Sequence, residues 1–277
     1  MELGGKTVIV TGSGRGIGRA LALEFSRQGA NVVCCARSKE EIRETVALLE
    51  KEGGHGIAVP TDVTRKEQAE KMVKETLKHF GQIDILFNNA GSFQAIGGLW
   101  EVDPEVWWHD VTVNLRGAML CCQAVLPHMI ERDEGIIINM AGGGFDRPFP
   151  GGSGYACSKT ALMRLTDSLA KELDRVSSSV LVFGMDPGFV RTSMTEYQLK
   201  TPEGRKWMTH VSRGFAQNED RPPEDCAKAT VQLIRIASSD LNGRIFDPDK
   251  NFPAVAKQAS GIEEKDLFVL RLRSWGE

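Results

Sequence analysis

The chain has 277 residues, 41% of them hydrophobic, and a net charge of −3, which is typical of a globular protein with one large domain or two small ones. It has no long basic run and no histidines or cysteines spaced as metal ligands, so we predict neither a nucleic-acid partner nor a metal site. No apolar run approaches the length of a membrane span and no secretory leader precedes the first apolar strand, so we expect a cytoplasmic protein without a membrane partner.

Apolar and amphipathic segments alternate along most of the chain. The predicted strands cover residues 7–10, 30–36, 56–60, 83–87, 135–140, 179–185 and 244–247, and the predicted helices cover residues 19–28, 39–52, 66–80, 105–131, 155–175 and 223–238. Strands that are apolar throughout and are separated by helices indicate a parallel sheet covered on both faces. We therefore predict an α/β fold in a single domain, a Rossmann-type doubly wound parallel sheet of about seven strands.

A glycine-rich turn joins the first predicted strand to the first predicted helix. It consists of Thr11, Gly12, Ser13, Gly14, Arg15, Gly16, Ile17 and Gly18. Glycines at such a turn let the backbone approach a pyrophosphate, whose charge then meets the N-terminus of the helix. The spacing is G-x-x-x-G-x-G rather than G-x-G-x-x-G, but the strand before it and the helix after it favour a dinucleotide site over an ordinary turn.

The end of the second predicted strand indicates which dinucleotide binds. NAD-binding proteins commonly carry an acidic residue there for the ribose 2′-hydroxyl, whereas this chain has Arg37 and Ser38. A guanidinium suits a phosphate, so Arg37 and Arg15 could bind the 2′-phosphate together. We predict NADP(H) as the preferred cofactor and NAD(H) as a possible one. The alternative is that both arginines are solvated surface residues.

Several further motifs follow in order along the chain. They are Asp62-Val63, Asn88-Asn89-Ala90-Gly91, Asn114, Tyr155-x-x-x-Lys159 and Pro187-Gly188-x-Val190-x-Thr192. Together with the glycine turn they resemble the motifs of the short-chain dehydrogenase/reductase family, over about residues 4–247. The resemblance implies an adenine site at Asp62 and Val63, a cofactor wall at Asn89, Ala90 and Gly91, and a nicotinamide side lined by Pro187, Gly188, Val190 and Thr192. It also implies a homo-oligomer, either a dimer or a tetramer.

Tyr155 and Lys159 are the candidate catalytic pair. A spacing of four residues puts both side chains on one face of a helix. A nearby ammonium favours the phenolate, so we expect Lys159 to lower the pKa of Tyr155. Tyr155 could then protonate a carbonyl oxygen as hydride arrives at the carbon, or deprotonate an alcohol in the reverse reaction. The resemblance adds that Lys159 holds the nicotinamide ribose and that Asn114 positions a water that supplies protons to Lys159.

One residue of the family pattern is missing. The family usually carries a catalytic serine after the fifth strand, where this chain has Gly142. Losing one oxyanion donor can cost on the order of 10²–10³ in rate. Three alternatives stay open: Ser153 replaces the serine, backbone N–H groups of the glycine run 142–144 replace it, or the protein binds NADP(H) with little or no activity in a regulatory or scaffold role. We favour an active oxidoreductase, because Asn114, Tyr155 and Lys159 are all present.

Two segments do not fit the alternation of strands and helices. We interpret residues 1–249 as the dinucleotide-binding and catalytic domain, residues 192–221 as an inserted substrate lid, and residues 250–277 as a C-terminal extension that covers the pocket or reaches a second subunit. Aromatic and apolar residues follow several predicted strands, among them Phe93, Phe149 and Trp207. They favour a hydrophobic or cyclic carbonyl or alcohol substrate, although ordinary packing of the lid would explain them equally well.

Overall fold

The computed structural model describes residues 1–176 and 179–271. Its strands are β1 (Thr7–Thr11), β2 (Asn31–Ala36), β3 (His55–Pro60), β4 (Ile85–Asn88), β5 (Gly135–Met140), β6 (Val180–Met185) and β7 (Ile245–Phe246). All neighbouring pairs are parallel, in the order β3-β2-β1-β4-β5-β6-β7. The predicted doubly wound parallel sheet is therefore confirmed.

Helices cover both faces of the sheet. They are α1 (Gly16–Arg27), α2 (Lys39–Lys51), α3 (Lys66–Phe80), α4 (Pro104–Val111), α5 (Ala118–Arg132), α6 (Ser153–Leu173), α7 (Ser193–Lys200), α8 (Pro202–Trp207), α9 (Thr209–Ala216), α10 (Pro223–Ile236), α11 (Phe252–Lys257) and α12 (Ala259–Glu264). The helix predicted at 105–131 is interrupted by a π-helical turn, Thr112–Gly117. Hydrophobic periodicity did not reveal this turn, because one extra residue in a single turn changes the spacing very little.

The strands are buried on both sides, as their continuous apolar sequences predict. Successive side chains of a strand point to opposite faces, and in β1 Val8 and Val10 pack into one core layer while Ile9 packs into the other. The first layer contains α1 and α10, represented by Phe25 and Ile234. The second layer lies under α3 and α5. Two packed layers around one sheet make up the core of this fold.

The connections of the sheet create a crevice between the ends of β1 and β4. β1 pairs with β2 on one side and with β4 on the other, so the chain reverses its direction of travel across the sheet at this point. Ligands of open α/β sheets bind beyond the carboxyl ends of the strands at such a switch point. The turn after β1, the end of β2 and the segment after β4 therefore meet at one edge.

The two segments outside the alternation are helical. Residues 192–221 contain α7, α8 and α9, and the extension contains α11 and α12. Phe252, Val255 and Ile262 of the extension are buried in the same core layer as α1 and α10. The extension therefore packs on the domain, and Arg271 donates a hydrogen bond to Asp167 of α6 at 2.7 Å. Residues 272–277 lie outside the described residues. Within the described ranges, we find no helix that is both long and apolar enough to span a membrane.

Candidate active site

The turn after β1 brings the backbone close to the segment after β4. Gly12 has a φ of +67°, a conformation that glycine adopts without strain. A Cβ atom at Gly12 would lie 2.9 Å from the Cα atom of Ala90, and one at Gly18 would overlap the carbonyl oxygen of Gly12. Only glycine fits at these two positions, so the turn can hold its helix directly against the strand ends.

The N-terminus of α1 is open to a ligand. Arg15 occupies the N-cap position, but its side chain makes no capping hydrogen bond. The amides of Gly16, Ile17 and Gly18 donate to no acceptor within the described part of the chain. Unpaired amides at a helix N-terminus suit the phosphates of a dinucleotide.

Asn89 and Ala90 form a wall beside this turn. The Thr11 hydroxyl oxygen accepts hydrogen bonds from the backbone amides of Asn89 (3.0 Å) and Ala90 (3.1 Å). The Asn89 side chain donates to the carbonyl oxygens of Thr11 (2.9 Å) and Gly12 (3.1 Å). Asn89 therefore fixes the shape of the wall with its side chain. Asn88 stabilises the central sheet, because its side chain donates to Asn139 of β5 at 2.9 Å.

The predicted adenosine end lies where the turn, β2 and α2 meet. Ser13 is buried and its hydroxyl donates to the Cys35 carbonyl at 3.4 Å, while Ser38 caps α2 by accepting from the amide of Glu41. Both hydroxyls are thus engaged within the protein. Arg37 is exposed.

Asp62 and Val63 follow β3 at the same end of the crevice. Burial raises the pKa of the Asp62 carboxyl, but hydrogen bonds from Thr64 and the charges of Arg37 and Arg65 outweigh this effect, so the pKa is lowered. Val63 is buried, and a Cβ atom at Gly117 would lie 2.7 Å from its side chain. Arg37 therefore lies close enough to Asp62 to influence its ionisation.

The segment after β6 closes the opposite side of the crevice. Pro187 is buried and Gly188 is exposed, with its amide donating to Asp186 at 3.2 Å. Val190 is buried and pairs with Arg221, and Thr192 caps α7. A Cβ atom at Gly16 would lie 3.5 Å from the Thr192 side chain, so the two sides of the crevice approach each other here.

Tyr155 and Lys159 lie on α6 at the end of this crevice. The Lys159 ammonium is buried and donates to the Met140 carbonyl at 2.8 Å, and it lies 5.7 Å from the centre of the Tyr155 ring. Burial lowers the pKa of Lys159 to about 8, against the opposing charge of Asp186. The pKa of Tyr155 is raised by burial and by the carboxylates of Asp186 and Asp110. The lowering of the Tyr155 pKa that we expected from Lys159 is therefore not seen.

Asn114 lies in the π-helical turn and is fully engaged by hydrogen bonds. Its amide nitrogen donates to the Ser92 carbonyl and to the Ser158 hydroxyl, both at 2.9 Å, and its amide oxygen accepts from the Ser92 amide at 2.7 Å. Ser158 in turn donates to the carbonyl of Tyr155 at 2.6 Å. The Asn114 side chain therefore ties α6 to the segment after β4, and a π turn at this position is typical of functional sites.

Gly142 lies directly against the Tyr155 hydroxyl. A Cβ atom at Gly142 would overlap the Tyr155 oxygen, so a side chain here would point at the candidate proton donor. The Ser153 hydroxyl accepts a hydrogen bond from the Trp107 indole at 3.0 Å. The amides of the glycine run 142–144 donate to no acceptor among the described residues. Both alternative donors thus stay open, with the backbone amides the freer of the two.

Comparing serine with alanine at position 142 tests the missing donor. We expect Gly142→Ala and Gly142→Ser to lower kcat/KM by a similar factor of about ten, because the added Cβ displaces Tyr155 in both variants and a tenfold loss needs only about 1.4 kcal/mol. The alanine variant is the control, since it adds the Cβ without the hydroxyl. A serine variant that is about 10² times faster than the alanine variant would mean that the native site lacks an adequate donor.

Asp110 is a buried carboxylate that sequence analysis missed. It is fully buried and accepts hydrogen bonds from the Ser92 hydroxyl (2.5 Å) and from the amides of Gln94 (2.8 Å) and Ala95 (2.9 Å). These bonds hold the segment that carries Phe93, whose ring stacks on Tyr155 with a centroid distance of 4.7 Å. No sequence motif predicts that Asp110 holds this segment, because an aspartate on a helix is usually exposed.

Asp186 is the second carboxylate that sequence analysis missed. Its charge raises the pKa of both Tyr155 and Lys159, so Asp186→Asn should lower both values. The protonated forms that reduction requires would then be lost at lower pH. We expect the alkaline limb of the kcat/KM profile for reduction to move toward acid by about half a pH unit to one unit.

The pH profile of Asp146→Asn serves as the control for this change. Asp146 raises the pKa of Asp186 but is not among the groups that shift Tyr155 or Lys159, so its removal should leave the alkaline limb in place. An Asp186→Asn limb at the native position would contradict the assignment of Asp186 as a group that sets these two pKa values.

An apolar cluster surrounds the outer face of Tyr155. Besides Tyr155 itself it contains Phe93, Ile96, Phe149, Phe189, Met194, Leu199, Trp207, Met208, Val211 and Phe215. Five of these members come from α7, α8 and α9, so part of the segment 192–221 packs against this region. Glu101 accepts from the Trp207 indole at 3.2 Å and forms an ion pair with Lys206 at 3.5 Å, so the loop after β4 is joined to α8.

No cluster of histidine, cysteine and acidic side chains suited to a metal ion occurs within residues 1–176 and 179–271.

Comparisons with known proteins agree with this arrangement. The model of the short chain dehydrogenase family matches residues 6–203. A short chain dehydrogenase of Pseudocercospora fijiensis is 38% identical over 195 residues, which span 70% of this chain and 62% of that protein. The 3beta-hydroxysteroid dehydrogenase 1 of Eggerthella lenta is 34% identical over 244 residues, 87% of this chain and 91% of that protein. A metagenomic short-chain oxidoreductase in complex with NADP has a solved structure with a TM-score of 0.70 and 28% identity, covering 86% of this chain and 94% of the other.

Proposed function

Because the chain belongs to the short-chain dehydrogenase/reductase family, we propose that it is an NADP(H)-dependent oxidoreductase that transfers hydride to or from a carbonyl/alcohol pair. The observation that carries the proposal is the position of Tyr155. The centre of its ring lies 5.7 Å from the buried ammonium of Lys159 at the end of the crevice, on the side opposite the predicted adenosine end. A proton donor and a buried cation at that point suit an oxygen atom that gains negative charge.

The residues of the crevice fit a nicotinamide dinucleotide. The free amides at the N-terminus of α1 would bind its phosphates, the end of β2 would meet its adenosine ribose, and the segment from Pro187 to Thr192 would lie against its nicotinamide. When bound, the reduced nicotinamide supplies the hydride. The residues of this chain bind and orient the reactants and supply the proton.

Tyr155 donates the proton, and Lys159 stabilises the phenolate that remains. As the carbonyl carbon accepts hydride, the Tyr155 hydroxyl gives its proton to the carbonyl oxygen and becomes a phenolate. The Lys159 ammonium, fixed at 2.8 Å from the Met140 carbonyl, stabilises that phenolate by its charge. The pKa of Lys159 at about 8 keeps the ammonium protonated at neutral pH. In the reverse direction the phenolate accepts the proton of the alcohol.

The surroundings of Tyr155 favour a hydrophobic, ring-bearing substrate. Phe93 stacks on the Tyr155 ring, and Phe149 lies 6.4 Å from it between centroids. Offset or edge contacts with such rings favour flat or cyclic groups. The name of the related hydroxysteroid dehydrogenase supports the same substrate class. We infer that residues 192–221 act as the lid of this site and that the protein forms a homo-oligomer, as its family resemblance implies.

Titration with each cofactor, followed by a turnover assay, tests this function. We expect the dissociation constant of NADPH to be lower than that of NADH, because Arg15 and Arg37 can meet a 2′-phosphate. We also expect NADPH oxidation with at least one member of a panel of cyclic ketones, quinones and aromatic aldehydes. Tight NADPH binding without turnover across the panel would favour the alternative of an inactive NADP(H)-binding protein. Equal or tighter binding of NADH would overturn the cofactor preference.

A further inference from the structure

Glu41 lies against the glycine turn, although it belongs to the first turn of α2. Its carboxylate is 3.2 Å from the Arg15 guanidinium, and a Cβ atom at Gly14 would lie 2.9 Å from the same carboxylate. The backbone of Glu41 is held as well, since its amide donates to Ser38 and its carbonyl accepts from Thr45 at 3.1 Å. Its side chain is 35% exposed. Glu41 is therefore a fixed negative charge at the predicted adenosine end.

The charges at this end are unevenly paired. Arg15 forms its ion pair with Glu41, whereas Arg37 has no ion-pair or hydrogen-bond partner anywhere in the described ranges. Of the two guanidinium groups that we assign to the 2′-phosphate, one is already neutralised by a carboxylate. A phosphate that binds Arg15 must therefore either displace the Glu41 carboxylate from the guanidinium or bind beside that carboxylate.

We propose that Glu41 is a specificity-determining residue that weakens the preference for NADP(H) over NAD(H) by acting as the counter-ion of Arg15. This inference rests on the proposed binding of NADP(H). NAD(H) carries a neutral hydroxyl at the 2′ position, so it can bind while the Arg15–Glu41 pair stays intact. NADP(H) brings a phosphate, which competes with the Glu41 carboxylate for the same guanidinium and is repelled by it.

The size of the effect follows from the exposure of the pair. Exposed ion pairs are worth little, because water screens them and the side chains lose freedom when they pair. Their loss corresponds to a change of about two- to fivefold in a dissociation constant. Relief of the repulsion between the carboxylate and the phosphate adds to this. We therefore expect removal of the Glu41 charge to tighten NADPH binding by about five- to tenfold.

Glu41→Gln and the matched control Glu40→Gln test the proposal. Both residues lie in the first turn of α2, so both changes remove one negative charge from the same helix end. Glu40 is exposed and forms no side-chain hydrogen bond or ion pair within the described chain. With dissociation constants measured by calorimetry, we expect Glu41→Gln to lower that of NADPH by five- to tenfold and to change that of NADH less than twofold. An equal effect of Glu40→Gln would overturn the proposal.

A double-mutant cycle with Arg15→Gln tests whether Glu41 acts through Arg15. In the Arg15→Gln background, we expect Glu41→Gln to tighten NADPH binding by less than about twofold, because the guanidinium that Glu41 occupies is gone. An undiminished effect would mean that Glu41 repels the phosphate directly, which would overturn its role as the counter-ion. If the native protein binds neither nucleotide, the proposed function fails as well. If it binds both and the cycle shows no coupling, only this inference fails.

Discussion

Replacing Tyr155 with phenylalanine is expected to lower kcat/KM by about 10²- to 10⁴-fold, the range typical for loss of a positioned proton donor. The variant removes one oxygen atom and keeps the ring that stacks on Phe93 at 4.7 Å. Packing around the site should therefore be unchanged, and the dissociation constant of NADPH should stay within about twofold of the native value. The measurement compares steady-state kinetics on the best substrate of the panel with calorimetric binding of the cofactor.

The chain offers a matched control for this change. Its other tyrosine, Tyr197, lies on α7 with 43% of its surface exposed, and Tyr197→Phe also removes a single phenolic oxygen. We expect that variant to keep kcat/KM within about twofold, because removing an exposed hydroxyl has little effect. A Tyr155→Phe variant with less than a tenfold loss would show that Tyr155 is not the proton donor.

Replacing Asp110 with alanine is expected to lower the free energy of unfolding by about 3 kcal/mol, because buried donors that lose a charged acceptor each carry a desolvation cost. The Ser92 hydroxyl and the amides of Gln94 and Ala95 would lose their acceptor. Removal of a buried charge offsets part of that cost. Urea unfolding, followed by circular dichroism, gives the free energy directly.

Asp103 provides the comparison for the Asp110 variant. It caps the same helix, α4, by accepting from the amide of Glu105 at 2.8 Å, and it is exposed. Asp103→Ala should cost about 1 kcal/mol, the usual value of a lost N-cap. An Asp110 variant no less stable than the Asp103 variant would mean that the segment after β4 does not depend on the buried carboxylate.

The overall fold could be predicted from the sequence because it depends on patterns that repeat. Apolar strands such as 135–140 and amphipathic helices such as 66–80 follow from periodicity alone, and the predicted bounds lie within a few residues of β5 and α3. The π-helical turn Thr112–Gly117 could not be predicted in this way. It changes the hydrogen bonding of one helical turn without changing the pattern of apolar residues.

The candidate site was predictable only where a motif carried it. Tyr155 and Lys159 have a spacing that places them on one helix face, and the structure brings them to the same end of the crevice. Glu41, Asp110 and Asp186 carry no motif, because each acts through a tertiary contact with a segment distant in sequence. The sign of the Tyr155 pKa shift depends on burial and on two of these carboxylates, so sequence reasoning that considered only Lys159 predicted the wrong direction.

The packing of the extension has a consequence for how this chain folds during synthesis. Phe252, Val255 and Ile262 belong to the same core layer as Val8 and Phe25. The first strand and helix therefore cannot complete their packing until residues more than two hundred positions later in the chain have been synthesised. Contacts between such distant segments slow folding. Until the ribosome has released residue 262, one face of the sheet lacks part of its cover, and the nascent chain exposes apolar surface that invites aggregation or chaperone binding.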